Sequence, residues 1–216
     1  MSVHKAIKNL RYEFEAGILM EDSVSSNPFK QFEKWMFEVI KSGNGEPNAV
    51  TLATAFKNGD VDARIVLLRG FDSKGFTFFT NYLSTKGREI RQNKKVCMNF
   101  FWPELQRQIR IKGVVEKVSI RASNAYFHSR PIDSQIGAWS SSQSEKLESR
   151  KVLEARFKKY EKEFAGKKIP RPPHWGGYCL KPSYFEFWQG RTNRLHDRII
   201  FEKSKTGKWV ISRLNP

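Results

Sequence analysis

The chain has 216 residues, of which 39% are hydrophobic and 13% aromatic, so it can bury a sizeable core and is not a disordered protein. Its 39 Lys and Arg residues exceed its 22 Asp and Glu residues, and the net charge of +17 favours anionic partners. Two cysteines are too few for a disulfide framework and lack the spacing of metal ligands. Because we find no apolar run long enough to cross a bilayer and no signal-peptide core, we expect a cytoplasmic protein with no membrane partner.

The beginning of the chain predicts two helices. Residues 4–16 carry apolar side chains at helical spacing, and we expect residues 1–20 to form a mobile N-terminal segment. Asn27 and Pro28 predict the N-cap and the first residue of a second helix, which Gly43 ends.

Strand patterns follow one another from residue 49 to residue 118. The predicted strands are 49–56, 62–70, 76–81, 95–102 and 106–118, with a hairpin turn at 58–60 and a short helix at 84–92 that Ser84 or Thr85 caps. Strands at roughly ten-residue spacing are typical of an antiparallel barrel or sandwich. We find no GxGxxG or Walker sequence, which argues against Rossmann and P-loop nucleotide-binding folds.

The second half of the chain adds helices and then a final group of strands. We predict helices at 120–130 and 144–164, a basic Pro-rich connector at 167–174, and strands at 178–188, 195–202 and 209–214. Without a repeat or a long linker, the pattern indicates one domain over residues 1–216. The predicted fold class is α+β, a single antiparallel β-barrel with flanking helices.

Positive charge is concentrated after the aromatic segment 184–188. If the following residues are extended, Arg194, His196 and Arg198 share one face of a strand. Three such groups repel one another unless an anion lies opposite them. They form either a solvated sheet edge or a site for a phosphorylated or electron-rich ligand.

Three further patterns could bind anions. Arg64 and Arg69 stand at the two ends of an apolar strand, where they either keep the strand ends in solvent or bind ligands. Lys86 follows hydroxyl residues at a helix N-terminus, which makes a plausible phosphate cradle. Tyr126 and Arg130 are four residues apart on one helix face, with Ser134 just beyond, and form either a phosphate site or an ordinary helix end.

The segment EFWQGRTNRLHDR, residues 186–198, resembles the signature of the pyridoxine 5'-phosphate oxidase family, a group of FMN-binding split-barrel flavoproteins. The segments 126–131 and 133–139 and the closing RLNP are similar to that family as well, and the resemblance covers nearly the whole chain. It implies a split β-barrel that binds FMN between the two subunits of a homodimer. It also implies oxidation of pyridoxine or pyridoxamine 5'-phosphate to pyridoxal 5'-phosphate, a step of vitamin B6 metabolism, with O2 as acceptor and H2O2 as product.

The resemblance assigns roles to particular positions, and none of them is a metal ligand. The implied FMN-binding residues are Arg64, Ile65, Val66, Leu67, Phe79, Thr80, Lys86, Gln108, Gln143, Ser144, Trp188 and Arg198, with Gln143 and Ser144 expected from the partner subunit. The implied substrate-binding residues are Arg69, Tyr126, Arg130, Ser134, Arg194 and His196, of which Arg194 and His196 would also be catalytic by holding the substrate over the flavin.

The chain departs from the family pattern at a few positions. Arg69 replaces a common lysine, and Thr85 replaces an arginine beside Lys86. Phe14 replaces a tyrosine in a segment that also contains Arg11 and that resembles the family segment covering the substrate.

Two other functions stay open: an FMN protein acting on another substrate, and a nucleic-acid-binding protein. The second is supported by net charge alone, and we expect no nucleic-acid partner.

Overall fold

A nine-stranded sheet is the main feature of the part of the chain that the computed structural model describes, residues 3, 7–8, 13–43 and 45–216. The strand order is β2-β1-β5-β6-β7-β4-β3, with β8 paired to β7 and β9 paired to β8. The pairs β1–β2, β3–β4, β4–β7, β7–β8 and β8–β9 are antiparallel. The strands are β1 Ala49–Ala55, β2 Val61–Leu67, β3 Gly70–Asp72, β4 Gly75–Asn81, β5 Lys95–Trp102, β6 Arg107–Lys117, β7 Trp175–Gln189, β8 Asp197–Lys203 and β9 Trp209–Arg213.

Five α-helices lie wholly within the described residues: α1 Pro28–Lys41, α2 Thr85–Gln92, α3 Ile120–Ser129, α4 Ile132–Ser140 and α5 Arg150–Glu163. Their starts follow the sequence signals. The Asn27 side chain accepts a hydrogen bond from the Phe29 N–H at 2.9 Å, and Ser84 accepts one from the Gly87 N–H at 3.3 Å. Both predicted caps are therefore confirmed, and Ser84 rather than Thr85 caps α2. None of the helices described here combines the length and apolar character that crossing a membrane requires.

Two compact units divide the chain, and each combines segments that are distant in the sequence. The first contains Met1–Pro47, Asn99–Ile111 and Tyr184–Pro216, and the second contains Asn48–Met98 and Lys112–Ser183. Each has its own buried residues: Phe32, Trp35, Phe100 and Phe187 in the first, and Phe76, Phe78, Phe127 and Ile136 in the second. Strands β5, β6 and β7 contribute residues to both units. A single domain over residues 1–216 stays a prediction.

Most predicted elements are found, with informative differences at three places. The strand predicted at 62–70 ends at Leu67, and a separate strand begins at Gly70. The helix predicted from residue 144 begins at Arg150, because Ser144 has a left-handed φ of 73° and Ser149 is extended. Helix α4 was not predicted, since its nine residues are too few for a clear apolar period.

Only part of the predicted N-terminal helix, residues 4–16, can be compared with the structure. Residues 7 and 8 are helical, residues 13–16 are not, and most of the predicted helix 4–16, like Arg11, lies outside the described residues. From residue 13 onwards the segment makes defined contacts within the first unit. The Leu19 N–H donates to Asp197 Oδ2 at 3.0 Å, and Arg213 donates to both carboxylate oxygens of Glu21 at 2.7 and 2.8 Å. The mobility of residues 1–20 stays a prediction.

Helix α2 lies so close to the backbone of Tyr82 that position 87 requires a glycine, and substitution there tests the packing of the second unit. A Cβ on Gly87 would lie 2.2 Å from the carbonyl oxygen of Tyr82, whereas one on Gly137 in α4 would meet no heavy atom within 4 Å. We expect Gly87→Ala to lower the free energy of unfolding by about 1–3 kcal/mol through overpacking. Gly137→Ala should leave it unchanged or raise it by up to about 1 kcal/mol through helix propensity. Thermal unfolding of the two variants checks this, and equal melting temperatures would contradict the packing argument.

Candidate functional site

A cavity of about 410 Å³ in the second unit collects most of the residues predicted as ligand contacts. Its size lies within the range of small-molecule sites. We call it the cationic pocket. Its walls come from the end of β2, from β4, from the first turn of α2, from α3 and α4, and from the segment after α4. The lining residues are Ile65, Val66, Leu67, Arg69, Phe79, Thr80, Asn81, Lys86, Tyr126, Arg130, Ser134, Gly137, Ala138, Ser141, Gln143 and Trp175.

One end of the cationic pocket carries two arginines. Arg130 Nη1 is buried and has no hydrogen-bond partner anywhere in the described part of the chain. Burial lowers the pKa of Arg130, and the charge of Arg69 lowers it further, whereas Tyr126 raises it. A buried N–H donor normally has a partner, and a lone one costs about 1–3 kcal/mol, more when the group is charged. An anionic oxygen in the pocket would remove this cost.

The local backbone explains why these side chains converge. Arg130 follows α3 with extended backbone angles, φ −77° and ψ 151°, and its carbonyl accepts a hydrogen bond from Gln135 Nε2 at 2.8 Å. Its guanidinium lies 4.7 Å from the ring centroid of Trp175. Arg69 lies beyond the end of β2, where its N–H donates to the carbonyl of Thr77 at 2.8 Å. Because β2 ends at Leu67, Arg64 lies within the strand and Arg69 lies beyond it, so strand alternation does not relate the directions of their side chains.

Aromatic rings form a flat wall of the same pocket. Phe79 and Tyr126 are stacked with ring centroids 3.9 Å apart, and Phe79 and Trp175 are stacked at 5.5 Å. Trp175 was not predicted as a site residue. A tryptophan directly before Gly176 and Gly177 was the available signal, since the glycines let Tyr82 and Phe79 approach the β7 backbone.

A second cationic position lies at the N-terminus of α2. Lys86 is 8% exposed, and its Nζ donates to Gln143 Oε1 at 3.3 Å, while Thr80 Oγ1 donates to the same oxygen at 3.3 Å. Burial lowers the pKa of Lys86, followed by the charge of Arg64, while Asp62 and Glu89 raise it. A buried ammonium at a helix N-terminus suits a phosphate. These contacts place Gln143 at the pocket of its own chain, whereas Ser144 is exposed and does not line it.

Arg64 differs from the other predicted phosphate ligands because it does not line the cationic pocket. Its Nη2 donates to Asp62 Oδ2 at 2.6 Å and to Glu89 Oε2 at 2.9 Å. Its Nη1 donates to Thr54 Oγ1 and to the Leu52 carbonyl. In this structure the Arg64 guanidinium is therefore held by acceptors of its own chain.

The first unit holds the predicted residues of the segment 188–198. The rings of Trp188 and His196 have centroids 4.6 Å apart, and Phe14 packs edge-on against both, at 5.8 and 5.2 Å. The Arg191 N–H donates to His196 Nδ1 at 3.1 Å. Because Nδ1 accepts this bond, the remaining proton of the neutral ring belongs on Nε2. Burial lowers the pKa of His196, and the neighbouring charge of Arg194 lowers it further, whereas Asp197 raises it; the net lowering favours the neutral ring.

The prediction that Arg194, His196 and Arg198 share one face of an extended strand is wrong. Residues 192–194 form a 3-10 turn, Asn193 and Arg194 have left-handed φ values of 55° and 60°, and β8 starts at Asp197. Alternation of side chains requires extended backbone, which Arg194 does not have. Two consecutive non-glycine residues with left-handed φ values store backbone strain, and such strain is frequent at functional sites.

Arg198 belongs to a buried ionic network within the first unit. Glu186 is 2% exposed; its Oε1 accepts from Arg198 at 2.9 Å, and its Oε2 accepts from Arg110 and from the Tyr184 hydroxyl, each at 2.9 Å. Burial raises the pKa of Tyr184, followed by its bond to the Glu186 carboxylate. Gln108 is half-buried on β6, and it does not line the cationic pocket. The network was not predicted, although a lone acidic residue among the aromatics of β7 was its signal.

Removing the carboxylate of Glu186 tests this network. We expect Glu186→Ala to destabilise the protein by about 2–3 kcal/mol, because a buried pair broken on one side leaves uncompensated charge, here moderated by partly exposed arginines. Glu202→Ala, at an exposed position of neighbouring β8, should change stability by less than about 0.5 kcal/mol. Urea unfolding of both variants makes the measurement, and similar midpoints would show that Glu186 contributes no net stability.

Comparison with known proteins places the chain among named relatives. Residues 36–163 match the family described as Pyridoxamine 5'-phosphate oxidase, and residues 175–216 match the Pyridoxine 5'-phosphate oxidase C-terminal dimerisation region. A pyridoxine/pyridoxamine 5'-phosphate oxidase of Bordetella avium is 50% identical over 211 residues, which cover 98% of this chain and 100% of the relative. The chain belongs to the pyridoxine/pyridoxamine 5'-phosphate oxidase family. A relative of the same description from Microcystis aeruginosa is 48% identical, covering 98% of this chain and 99% of its own.

Solved structures agree on the fold. PhzG from Burkholderia lata 383, in complex with tetrahydrophenazine-1-carboxylic acid, superposes with a TM-score of 0.86 at 28% identity, covering 92% of this chain and 98% of its own. A pyridoxamine 5'-phosphate oxidase-related, FMN binding protein from Nostoc punctiforme gives 0.70 at 18% identity, covering 89% and 100%. The predicted α+β fold of the FMN-binding split-barrel type is thereby confirmed. Within the described residues, no group of three or more His, Cys, Asp or Glu side chains could hold a metal ion.

Proposed function

We propose that this protein is an FMN-dependent oxidase that converts pyridoxine or pyridoxamine 5'-phosphate to pyridoxal 5'-phosphate with O2 as acceptor. Membership of the family and 50% identity to a pyridoxine/pyridoxamine 5'-phosphate oxidase over nearly the full length support the reaction class. The reaction places the protein in the synthesis and salvage of vitamin B6 coenzymes, and a cytoplasmic location stays our prediction.

The observation that carries the substrate assignment is the unpartnered, buried Nη1 of Arg130 in a pocket that also contains Arg69. Two guanidinium groups, the Tyr126 phenol and the Ser134 hydroxyl offer the donors that a phosphate monoester uses. The alternatives without a ligand are an ordinary helix end for Arg130 and a solvated strand end for Arg69. They do not explain why a buried donor is left without a partner. We therefore assign the substrate phosphate to Arg69, Tyr126, Arg130 and Ser134.

The residues of the cationic pocket also fit FMN. The buried Lys86 at the start of α2 would hold its phosphate, together with Arg64 once one of the present partners of that guanidinium is displaced. Thr80 and Gln143 supply neutral polar groups beside Lys86. Ile65, Val66, Leu67 and Phe79 line the same cavity and would contact the cofactor along the β2 and β4 backbones. Gln108, Ser144, Trp188 and Arg198 are assigned to FMN by resemblance alone.

FMN, when bound, would supply the acceptor for a hydride from the C4' carbon of the substrate, with O2 as the final acceptor and H2O2 as the product; with the amine substrate, water is consumed and ammonia released. The protein supplies orientation and charge. We assign Arg194 and His196 to the substrate, where the neutral imidazole holds its proton on Nε2 and can donate it in a hydrogen bond. Accurate positioning accounts for a large share of the rate in such a reaction.

We further propose that the protein is a homodimer. The match of residues 175–216 to the family's dimerisation region supports this assembly. It can be measured by sedimentation or light scattering at several protein concentrations. A mass near the 25.2 kDa of one chain at all concentrations would contradict it.

The decisive experiment is an absorbance spectrum of the purified protein, reconstituted with FMN where needed, followed by anaerobic addition of pyridoxine 5'-phosphate. We expect a flavin spectrum that bleaches with the phosphate ester and returns with air. Unphosphorylated pyridoxine is the matched control and should reduce the flavin far more slowly at equal concentration. Pyridoxamine 5'-phosphate in a parallel cuvette gives the preference between alcohol and amine.

Other outcomes separate the alternatives. A flavin that stays oxidised with both phosphate esters but is reduced by tetrahydrophenazine-1-carboxylic acid, the compound bound in the PhzG structure, would favour a substrate of that kind. A protein that neither contains nor takes up FMN, and that retains DNA in a salt-sensitive way, would overturn the proposal in favour of nucleic-acid binding.

A further inference from the structure

Arg64 is surrounded by acceptors of its own chain. Its two terminal nitrogens carry four N–H donors, and four acceptors lie against them. Nη1 meets the Leu52 carbonyl and Thr54 Oγ1, and Nη2 meets the carboxylates of Asp62 and Glu89. A phosphate that binds this guanidinium through two N–H groups must displace at least one of them.

Burial distinguishes the two carboxylates. The Glu89 side chain is 1% exposed, and its Oε2 also accepts from Thr54 Oγ1 at 2.5 Å, so it is fixed from two sides. The Asp62 side chain is 51% exposed and bonds Arg64 Nη2 at 2.6 Å. An exposed ion pair contributes little to stability, whereas removing a buried partner is costly. Asp62 is therefore the acceptor that an incoming anion can replace.

We infer that Asp62 is an internal competitor of the FMN phosphate: its carboxylate occupies Arg64 until the cofactor displaces it, while Glu89 stays in place and orients the guanidinium. The inference rests on the proposed function, because it takes FMN as the ligand of Arg64. Asp62 would thus lower the affinity for the cofactor, although it does not line the cationic pocket and was not predicted as a site residue.

Neighbouring charges support this arrangement. The charges of Arg64 and Asp62 both act on Lys86, with opposite effects on its pKa, so the three groups lie within one electrostatic environment. The bond to Arg64 is the largest cause that lowers the pKa of Asp62 below its ordinary acidic value, as expected for a carboxylate paired with a guanidinium. When Asp62 leaves Arg64, an Nη2 N–H group of the guanidinium is released to a phosphate that also contacts the Lys86 ammonium.

The test measures the dissociation constant of FMN for the apoprotein by quenching of flavin fluorescence. Asp62→Asn should bind FMN about two- to fivefold more tightly, the range that corresponds to losing a competing exposed ion pair. Asp60→Asn makes the same chemical change two residues away, at an exposed carboxylate that bonds Asn58 instead of Arg64, and should have no effect. Riboflavin, which lacks the phosphate, should bind the parent and Asp62→Asn equally.

A double-mutant cycle separates competition at Arg64 from a general change of charge. In an Arg64→Ala background, Asp62→Asn should no longer change FMN affinity. Unchanged FMN affinity in Asp62→Asn, or an equal gain in Asp60→Asn or in the Arg64→Ala background, would overturn the inference while leaving the oxidase proposal intact. A parent protein that binds no FMN would instead refute the proposed function, and this inference with it.

Discussion

Arg130→Ala is expected to reduce kcat/KM for pyridoxine 5'-phosphate by about 30- to 1,000-fold, which corresponds to about 2–4 kcal/mol of lost transition-state stabilisation. Arg130 is the residue of the cationic pocket whose buried Nη1 lacks a partner in the described chain. Its alanine variant would leave the substrate phosphate in a partly desolvated site with Arg69 as the remaining guanidinium. Steady-state peroxide production over a range of substrate concentrations measures the change.

Two controls make this result specific. Arg121→Ala removes an exposed arginine from α3, the helix that Arg130 follows, and should leave kcat/KM within about twofold of the parent. Slow oxidation of unphosphorylated pyridoxine should be equal in Arg130→Ala and the parent, because that substrate has no phosphate to bind. If the variant loses activity toward both substrates alike, Arg130 acts on the fold or the flavin and the phosphate assignment is wrong.

The combined variant Arg194→Ala, His196→Ala should retain FMN but lose turnover by at least about 100-fold, as expected when groups that position a substrate are removed. The left-handed φ of Arg194 and the Nδ1 hydrogen bond of His196 are more typical of a functional site than of a solvated strand edge. The flavin spectrum measures cofactor retention, and rapid anaerobic mixing with pyridoxine 5'-phosphate measures the rate of flavin reduction.

A matched histidine control exists in the second unit. His128 Nε2 contacts the Ile169 carbonyl at 3.1 Å and does not line the cationic pocket, so His128→Ala should keep the parental rate of flavin reduction. Loss of FMN from the Arg194→Ala, His196→Ala protein would mean that these side chains serve the cofactor. Full retention of turnover would remove both residues from the reaction.

Local signals in the sequence were strong where a short segment determines its own structure. Asn27 with Pro28, and Ser84, identified two helix starts, because capping depends on side-chain oxygens within three residues of the free N–H groups. The strand at 95–102 has the predicted limits, and its buried residues alternate along it. Where the backbone turns unexpectedly, as at Ser144 and Arg194, the same reasoning failed, since a left-handed φ in a non-glycine residue has no reliable sequence signal.

The α+β fold, the family and the residues that we propose as phosphate ligands could be predicted from residue type, spacing and resemblance. Which of those residues lie together could not, because it depends on the tertiary structure. The tertiary structure gathered Arg69, Lys86, Tyr126, Arg130, Ser134 and Gln143 around one cavity and directed Arg64 to Asp62 and Glu89 instead. The physical reason is that burial and ionic partners depend on contacts between residues that are distant in the chain, such as Arg64 with Glu89 and Gln143 with Thr80.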